Sequence, residues 1–299
     1  MSRTIRILAV AAAVGVLLAP TAQAATLDPS TDANLHTALQ IEAFDWARYT
    51  VYAEQADREG AGSASALFTT TATEDRYVHA AELAVPAALV GDNAQNLRAA
   101  IDGETYEATV MYPEFAATAR AEGCTRAANI FDSIAKEEMM HANKYTAALS
   151  AILTGSGPIP RASALQWITV TPQLPRCGGQ TLTNLATAMH GESLAQVKYD
   201  LFAQVARDSG QTALADLFAG TGQVEFREHF SDEANLAGLM GDTATNLTNA
   251  AVSEDLEATV TYPGFAQEAT ASGDTDEAVL FEGLASAEAL QRDAFLAEG

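Results

Sequence analysis

The chain has 299 residues, a formal net charge of −23 and only three lysines, Lys136, Lys144 and Lys198. So acidic a composition repels phosphate backbones, which excludes nucleic acid as a partner class, and it suits a well-solvated surface. Two cysteines, Cys124 and Cys177, cannot build a four-cysteine metal knuckle or a disulfide scaffold, and spacing alone leaves open whether they pair.

Residues 1–24 read as an export signal, because Arg3 and Arg6 precede the apolar run Ile7 to Ala19 and Ala22-Gln23-Ala24 forms a small-x-small cleavage site. No later stretch reaches about 18 uninterrupted apolar residues, so no membrane span is expected. The expected location is the periplasm or the medium. From 27 to 153 the apolar residues recur at helical spacing, and breaks at Glu59-Gly60-Ala61-Gly62, Gly91-Asp92-Asn93 and Glu122-Gly123 cut the segment into four long helices. Residues 154–180 carry Pro158, Pro160, Pro172 and Pro175 and read as a linker. Within it Trp167 to Thr171 alternates like a short strand. Residues 181–299 repeat the four-helix pattern, with breaks at Ser209-Gly210, Gly241-Asp242 and Ser272-Gly273.

The two segments are copies of one unit. EATVMYPEFA at 107–116 returns as EATVTYPGFA at 257–266, and a constant offset of 150 pairs Glu42 with Glu192, Tyr49 with Tyr199, His79 with His229, Tyr112 with Tyr262 and Glu138 with Glu288. An unbroken offset means that every connection has kept its length. Each repeated phrase places a proline in a helical pattern, where it costs about 3 kcal/mol, so a local accommodation is expected twice. Four helices with short connections predict an antiparallel bundle for each copy, the two packing against one another within the chain.

Acidic and imidazole side chains recur on every helix of this pattern. In the first copy they are Glu42, His79, the pair Glu104 and Glu107, and the pair Glu138 and His141. An i, i+3 pair shares a helix face, so these groups can converge on one object. Convergent carboxylates and imidazoles describe the di-iron or di-manganese site of ferritin-like bundles, where metal offsets their repulsion and burial. The fold expectation is therefore all-α, with two ferritin-like four-helix bundles in tandem.

These residues resemble the rubrerythrin family. The resemblance lies in Ile41-Glu42-Ala43 through Arg48-Tyr49-Thr50, in Gly191-Glu192-Ser193, in the stretch from Asn96 to Ala116, and in Ile134 to His141. It implies an iron pair that reduces peroxide or reacts with dioxygen, manganese or a single divalent ion being the alternatives. Carried over, the metal residues are Glu42, His79, Glu104, Glu107, Glu138 and His141 in the first bundle, with Tyr49 and Tyr112 behind them. In the second they are Glu192, His229, Glu254, Glu257 and Glu288. Three departures stand out. Where the family places a bridging Glu three residues before each helix-B His, this chain has Arg76 and Phe226, and Gln291 replaces a second His. Asp75 and Glu225 stand one residue earlier and reach the site only through a distorted helix. A guanidinium at 76 either occupies the place of a metal or faces away. No rubredoxin-like module can form, so an external electron donor is implied. The alternative reading is a non-catalytic bundle with a degenerate metal site, serving binding or envelope structure.

Overall fold

In the computed structural model, residues 27–299 are described, and all regular structure among them is helical; the expected leader, 1–24, lies outside the described residues. The first half comprises α1 (Pro29–Glu59), then α2 (Gly62–Glu74) running through a π turn at Asp75–His79 into α3 (Ala80–Ala84). Next, α4 (Asn93–Tyr106) passes through a π turn at Glu107–Met111 into α5 (Tyr112–Ala121), and α6 (Thr125–Thr154) closes the half. The second half repeats this with α7 (Gly179–Asp208), α8 (Thr212–Val224), a π turn at Glu225–Phe230 and α9 (Ser231–Ala237). It ends with α10 (Thr243–Leu256), a π turn at Glu257–Thr261, α11 (Tyr262–Ser272) and α12 (Thr275–Glu298).

Local chemistry sets the helix limits. Asp92 forms a reciprocal capping box with Gln95 at the start of α4, and Asp242 caps α10 at the matching position. Gly60 stops α1 in the left-handed region at φ 76°, where its N–H reaches the last-turn carbonyls of Ala56 and Asp57. The two interior prolines are accommodated by the π turns. Tyr112 and Tyr262 donate five residues back, to the Glu107 and Glu257 carbonyls, so Pro113 and Pro263 each enter a fresh α turn at its first positions, where a missing N–H costs least.

The halves do not fold into separate bundles, which corrects the division into bundles at 27–153 and 181–299. The paired helices α1 and α2 of the first half pack against α10, α11 and α12 of the second, while α4, α5 and α6 pack against α7 and α9. The cores show the same exchange. One joins Leu97, Ala100, Tyr145 and Ala148 from the first half to Tyr199, Phe202, Leu214 and Phe218 from the second. In the other, Tyr49 and Phe68 close on Phe295, with ring centroids 5.1 and 5.3 Å apart. Fully burying each such ring stabilises the fold by about 1.5–3 kcal/mol. The two bundles are thus each made of half of one copy and half of the other, and α1 lies along α7 between them.

The linker forms no strand. Its backbone donors go to helix carbonyls instead, Ile168 to Arg227 within the π turn at 2.9 Å and Arg176 to Leu236 at the end of α9 at 2.9 Å. Val170 is buried, and the Arg227 guanidinium lies 4.0 Å over the Trp167 ring. A Cys124–Cys177 disulfide, Cα atoms 5.9 Å apart, ties the start of α6 to the segment entering α7.

Candidate metal centre

The exchange sorts the expected ligands differently from the sequence. The first centre takes Glu104, Glu107, Glu138 and His141 from the first half, and Glu192 and His229 from the second. Glu42 and His79 are not with them, and lie with Glu254, Glu257 and Glu288 in a second centre. Neither sequence-derived set converges as a whole, because each drew its four helices from one half.

In the first centre two donor groups interlock. Ligand atoms of Glu104, Glu138, His141 and Glu225 all lie within 4.8 Å of one another, and so do those of Glu138, Glu192, Glu225 and His229. Each group holds one imidazole and three carboxylates, and Glu138 and Glu225 belong to both. Two sets of four sharing two carboxylates is the donor arrangement of a dinuclear centre with carboxylate bridges. Glu225 shows the bridging role most directly. One of its oxygens lies 3.1 Å from His141 Nδ1 and the other 2.9 Å from His229 Nδ1. Both oxygens are buried and accept no hydrogen bond of good geometry, and such orphaned atoms cost about 1–3 kcal/mol each unless something else satisfies them. The donor types and these orphans fit a pair of divalent ions.

The π turn explains how Glu225 reaches the centre. Sequence spacing looked for an acid three residues before His229 and found Phe226, which is buried in the apolar core against Trp46 instead. The wider turn accommodates the extra residue and keeps Glu225 and His229 on the cluster side. The shared Asp-x-x-x-His and Glu-x-x-x-His spacing of the two halves was the available signal.

The electrostatics show what metal would replace. Burial alone would lower the His141 imidazole, but the Glu225 carboxylate, then Glu104 and Glu138, raise it well above its ordinary value. Burial is likewise overcome at His229, chiefly by Glu138 and with help from Glu137 and Glu192. Burial would raise Glu225, yet the two imidazoliums, His141 first, hold it at about 2. Burial pushes Glu192 up to about 7 in spite of His229. Protons on the imidazoles thus supply cationic charge that bound ions would supply, and loading must displace them.

Around the ligands, four tyrosines cross between the halves. Tyr112 donates to Glu192, and its hydroxyl also stands 3.0 Å from Glu233. Tyr199 donates to Glu104, Tyr49 to Glu254 and Tyr262 to Glu42. Tyr112 therefore serves the first centre but Tyr49 the second. Tyr199 and Tyr262 were already visible as repeat partners without an assigned role. Outside the first centre, Glu137 accepts from or shares a proton with His229 Nε2 at 3.2 Å, orienting the ring. Glu107 stands beside the two tight groups, half-buried, at the edge of an open cleft of about 770 Å³ that also touches Gln40, Met111, Phe115 and His190.

Arg76 occupies no metal position. Its guanidinium pairs with Asp200 of α7 and lies 4.0 Å over the Trp46 ring, which removes the competitor raised by the sequence. Asp75, the residue before it, is buried at the second centre with Oδ1 3.8 Å from His79 Nδ1.

The rubrerythrin family model matches residues 77–149. A rubrerythrin of Porphyromonas gingivalis is 33% identical over 160 residues, covering 50% of this chain and 77% of that protein. The chain belongs to the rubrerythrin family. Among other relatives, rubrerythrin of Nitratidesulfovibrio vulgaris is 35% identical over 128 residues, 38% of this chain and 66% of its own. Symerythrin of Cyanophora paradoxa is 31% identical over 127 residues, 41% of this chain and 71% of its own. No solved structure gives a significant match. A rubrerythrin implies a di-iron carboxylate centre, and the buried Glu and His groups of this one are of the types that hold it.

Proposed function

We propose that the first centre holds two iron ions and reduces hydrogen peroxide, or oxidises ferrous iron, with electrons from a donor outside the chain. The observation that carries this reading is the pair of donor groups joined through Glu138 and Glu225. Bound iron would supply redox capacity and Lewis acidity. Around it, Tyr112 fixes Glu192, Glu137 fixes His229, and the cleft beside Glu107 gives a small oxidant an approach from solvent. Peroxide reduction consumes two electrons and two protons and yields two waters. Both cysteines are committed to one disulfide, so no cysteine-bound iron within the chain relays those electrons. Manganese remains the alternative metal.

Export to the periplasm or medium is part of the same proposal. It is supported by the leader-like residues 1–24 and by a disulfide suited to an oxidising compartment.

The test is iron reconstitution of the full chain followed by near-ultraviolet absorption and peroxide consumption with an artificial reductant. An oxo-bridged absorption that bleaches on reduction and returns with peroxide is expected. Glu225→Ala is expected to abolish both signals. A folded wild-type chain that takes up no iron, or takes it up without that absorption, would sink the proposal.

A further inference from the structure

The second centre repeats the first with two of its features removed. We infer that it is a site for one divalent cation, held by Glu42, His79 and Glu288 with Asp75 beside them, rather than a second dinuclear centre. This assignment does not depend on whether the first centre reacts with peroxide.

Half of the donor arrangement is intact. Ligand atoms of Glu42, His79 and Glu288 lie within 4.8 Å of one another. His79 Nδ1 stands 3.0 Å from Glu42 Oε2 and 3.2 Å from Glu288 Oε1. Glu288 Oε1 and Asp75 Oδ2 are buried without a hydrogen-bond partner, each residue being 1% exposed. One imidazole and two converging carboxylates, with an unsatisfied oxygen on Glu288 and another on the neighbouring Asp75, are a sufficient donor set for a first-row divalent ion.

The other half lacks what a second ion needs. Glu254, Glu257 and Glu288 form a group with no nitrogen donor, because Gln291 stands where the first centre has His141. Gln291 donates its amide to Asp75 Oδ1 at 3.0 Å. That hydrogen bond engages one oxygen of the carboxylate at the bridging position, whereas the two oxygens of Glu225 face the two imidazoles of the first centre. A fixed cation also stands close by. Buried Arg48 donates to Asp45 and, at 2.8 Å, to Tyr49 Oη, whose own proton goes to Glu254. At the offset of 150 the first centre has Ala195 in place of Asp45 and a half-buried Lys198 in place of the buried Arg48, so its cation lacks the buried aspartate that fixes the guanidinium. Glu257 is accordingly 5% exposed, while its counterpart Glu107 borders an open cleft. The second centre is enclosed, and the nearby buried guanidinium already supplies part of its cationic charge.

Manganous ion distinguishes the cases, since an isolated ion gives a six-line paramagnetic resonance spectrum and a coupled pair does not. The full chain, stripped of metal, loaded with Mn²⁺ and desalted, is expected to retain about three ions, and Glu225→Ala about one, with the isolated-ion spectrum. Adding His79→Ala to Glu225→Ala is expected to remove that last ion. In the opposite direction, Gln291→His in the Glu225→Ala chain is expected to raise the count to about two and broaden the six lines. Wild-type protein holding about two or four ions overturns the assignment, as does a residual ion indifferent to His79→Ala or a count unmoved by Gln291→His. If Glu225→Ala fails to fold, the wild-type count and Gln291→His made in the wild-type chain, expected to raise that count from about three to about four, keep the test decisive.

Discussion

Arg76 and Asp75 are neighbours whose roles are opposite to those their spacing suggested. The ligand types were legible, because Glu and His at i, i+3 on successive helices recur at a fixed offset and have little reason to do so in an apolar core. The position before each helix-B histidine was not legible, since an α period points residue 76 at the site and the actual helix contains a π turn. Arg76 lies instead between Trp46 and Asp200. Arg76→Ala is therefore expected to leave the metal content unchanged while lowering stability by about 1–2 kcal/mol, through loss of a desolvated cation–π contact and a partly exposed ion pair. Metal analysis beside thermal unfolding checks this. A loss of bound metal with an unchanged midpoint would return the guanidinium to the centre.

At the scale of elements, helices and their breaks were readable from glycine punctuation and capping residues, and all the expected long helices are present. Their partners were not readable, because nothing in a periodic apolar face names the helix that covers it. The joints between elements rest on carboxylates outside the metal centres. Glu122, after α5, accepts from the N–H groups of Gln180 and Thr181 at 2.9 and 2.8 Å and from the Thr181 hydroxyl at 2.6 Å, capping the first turn of α7. The Thr181 side chain and these backbone donors hold Glu122 below the usual carboxylate range. A depressed carboxylate contributes stability above its unfolded value and loses it as the pH falls through its folded value. Glu122→Gln is thus expected to lower the unfolding midpoint near neutrality and to flatten its decline in acid. Parallel midpoint curves for the two proteins between pH 7 and 3 would contradict the assignment.

For the molecule as a whole, the repeat revealed two units but not that they exchange halves. Tandem copies with short connections and copies with crossed helices carry the same apolar pattern. What distinguishes them is which face of α1 meets α10 and α11 instead of α4 and α5, and that is decided by packing detail such as Tyr145 on Phe218 and Tyr49 on Phe295. Residues 27–153 and 181–299 expressed separately are each expected to bind no coupled metal pair, and to regain it on mixing. Size-exclusion chromatography with metal analysis reads both outcomes, and a half that assembles a coupled pair as a monomer would refute the exchange. The disulfide closes a loop spanning a sequence separation of 53, and by the chain-entropy argument its loss costs about 4 kcal/mol. The crossing of helices also sets which sequence changes should travel together. A substitution at Gln291 alters the surroundings of Asp75, over 200 positions away, and leaves His141 untouched. In an alignment of such tandem chains, residues 42–79 should vary jointly with 254–291, and residues 104–141 with 192–229, so that inheritance follows the diagonals of the repeat and not its halves.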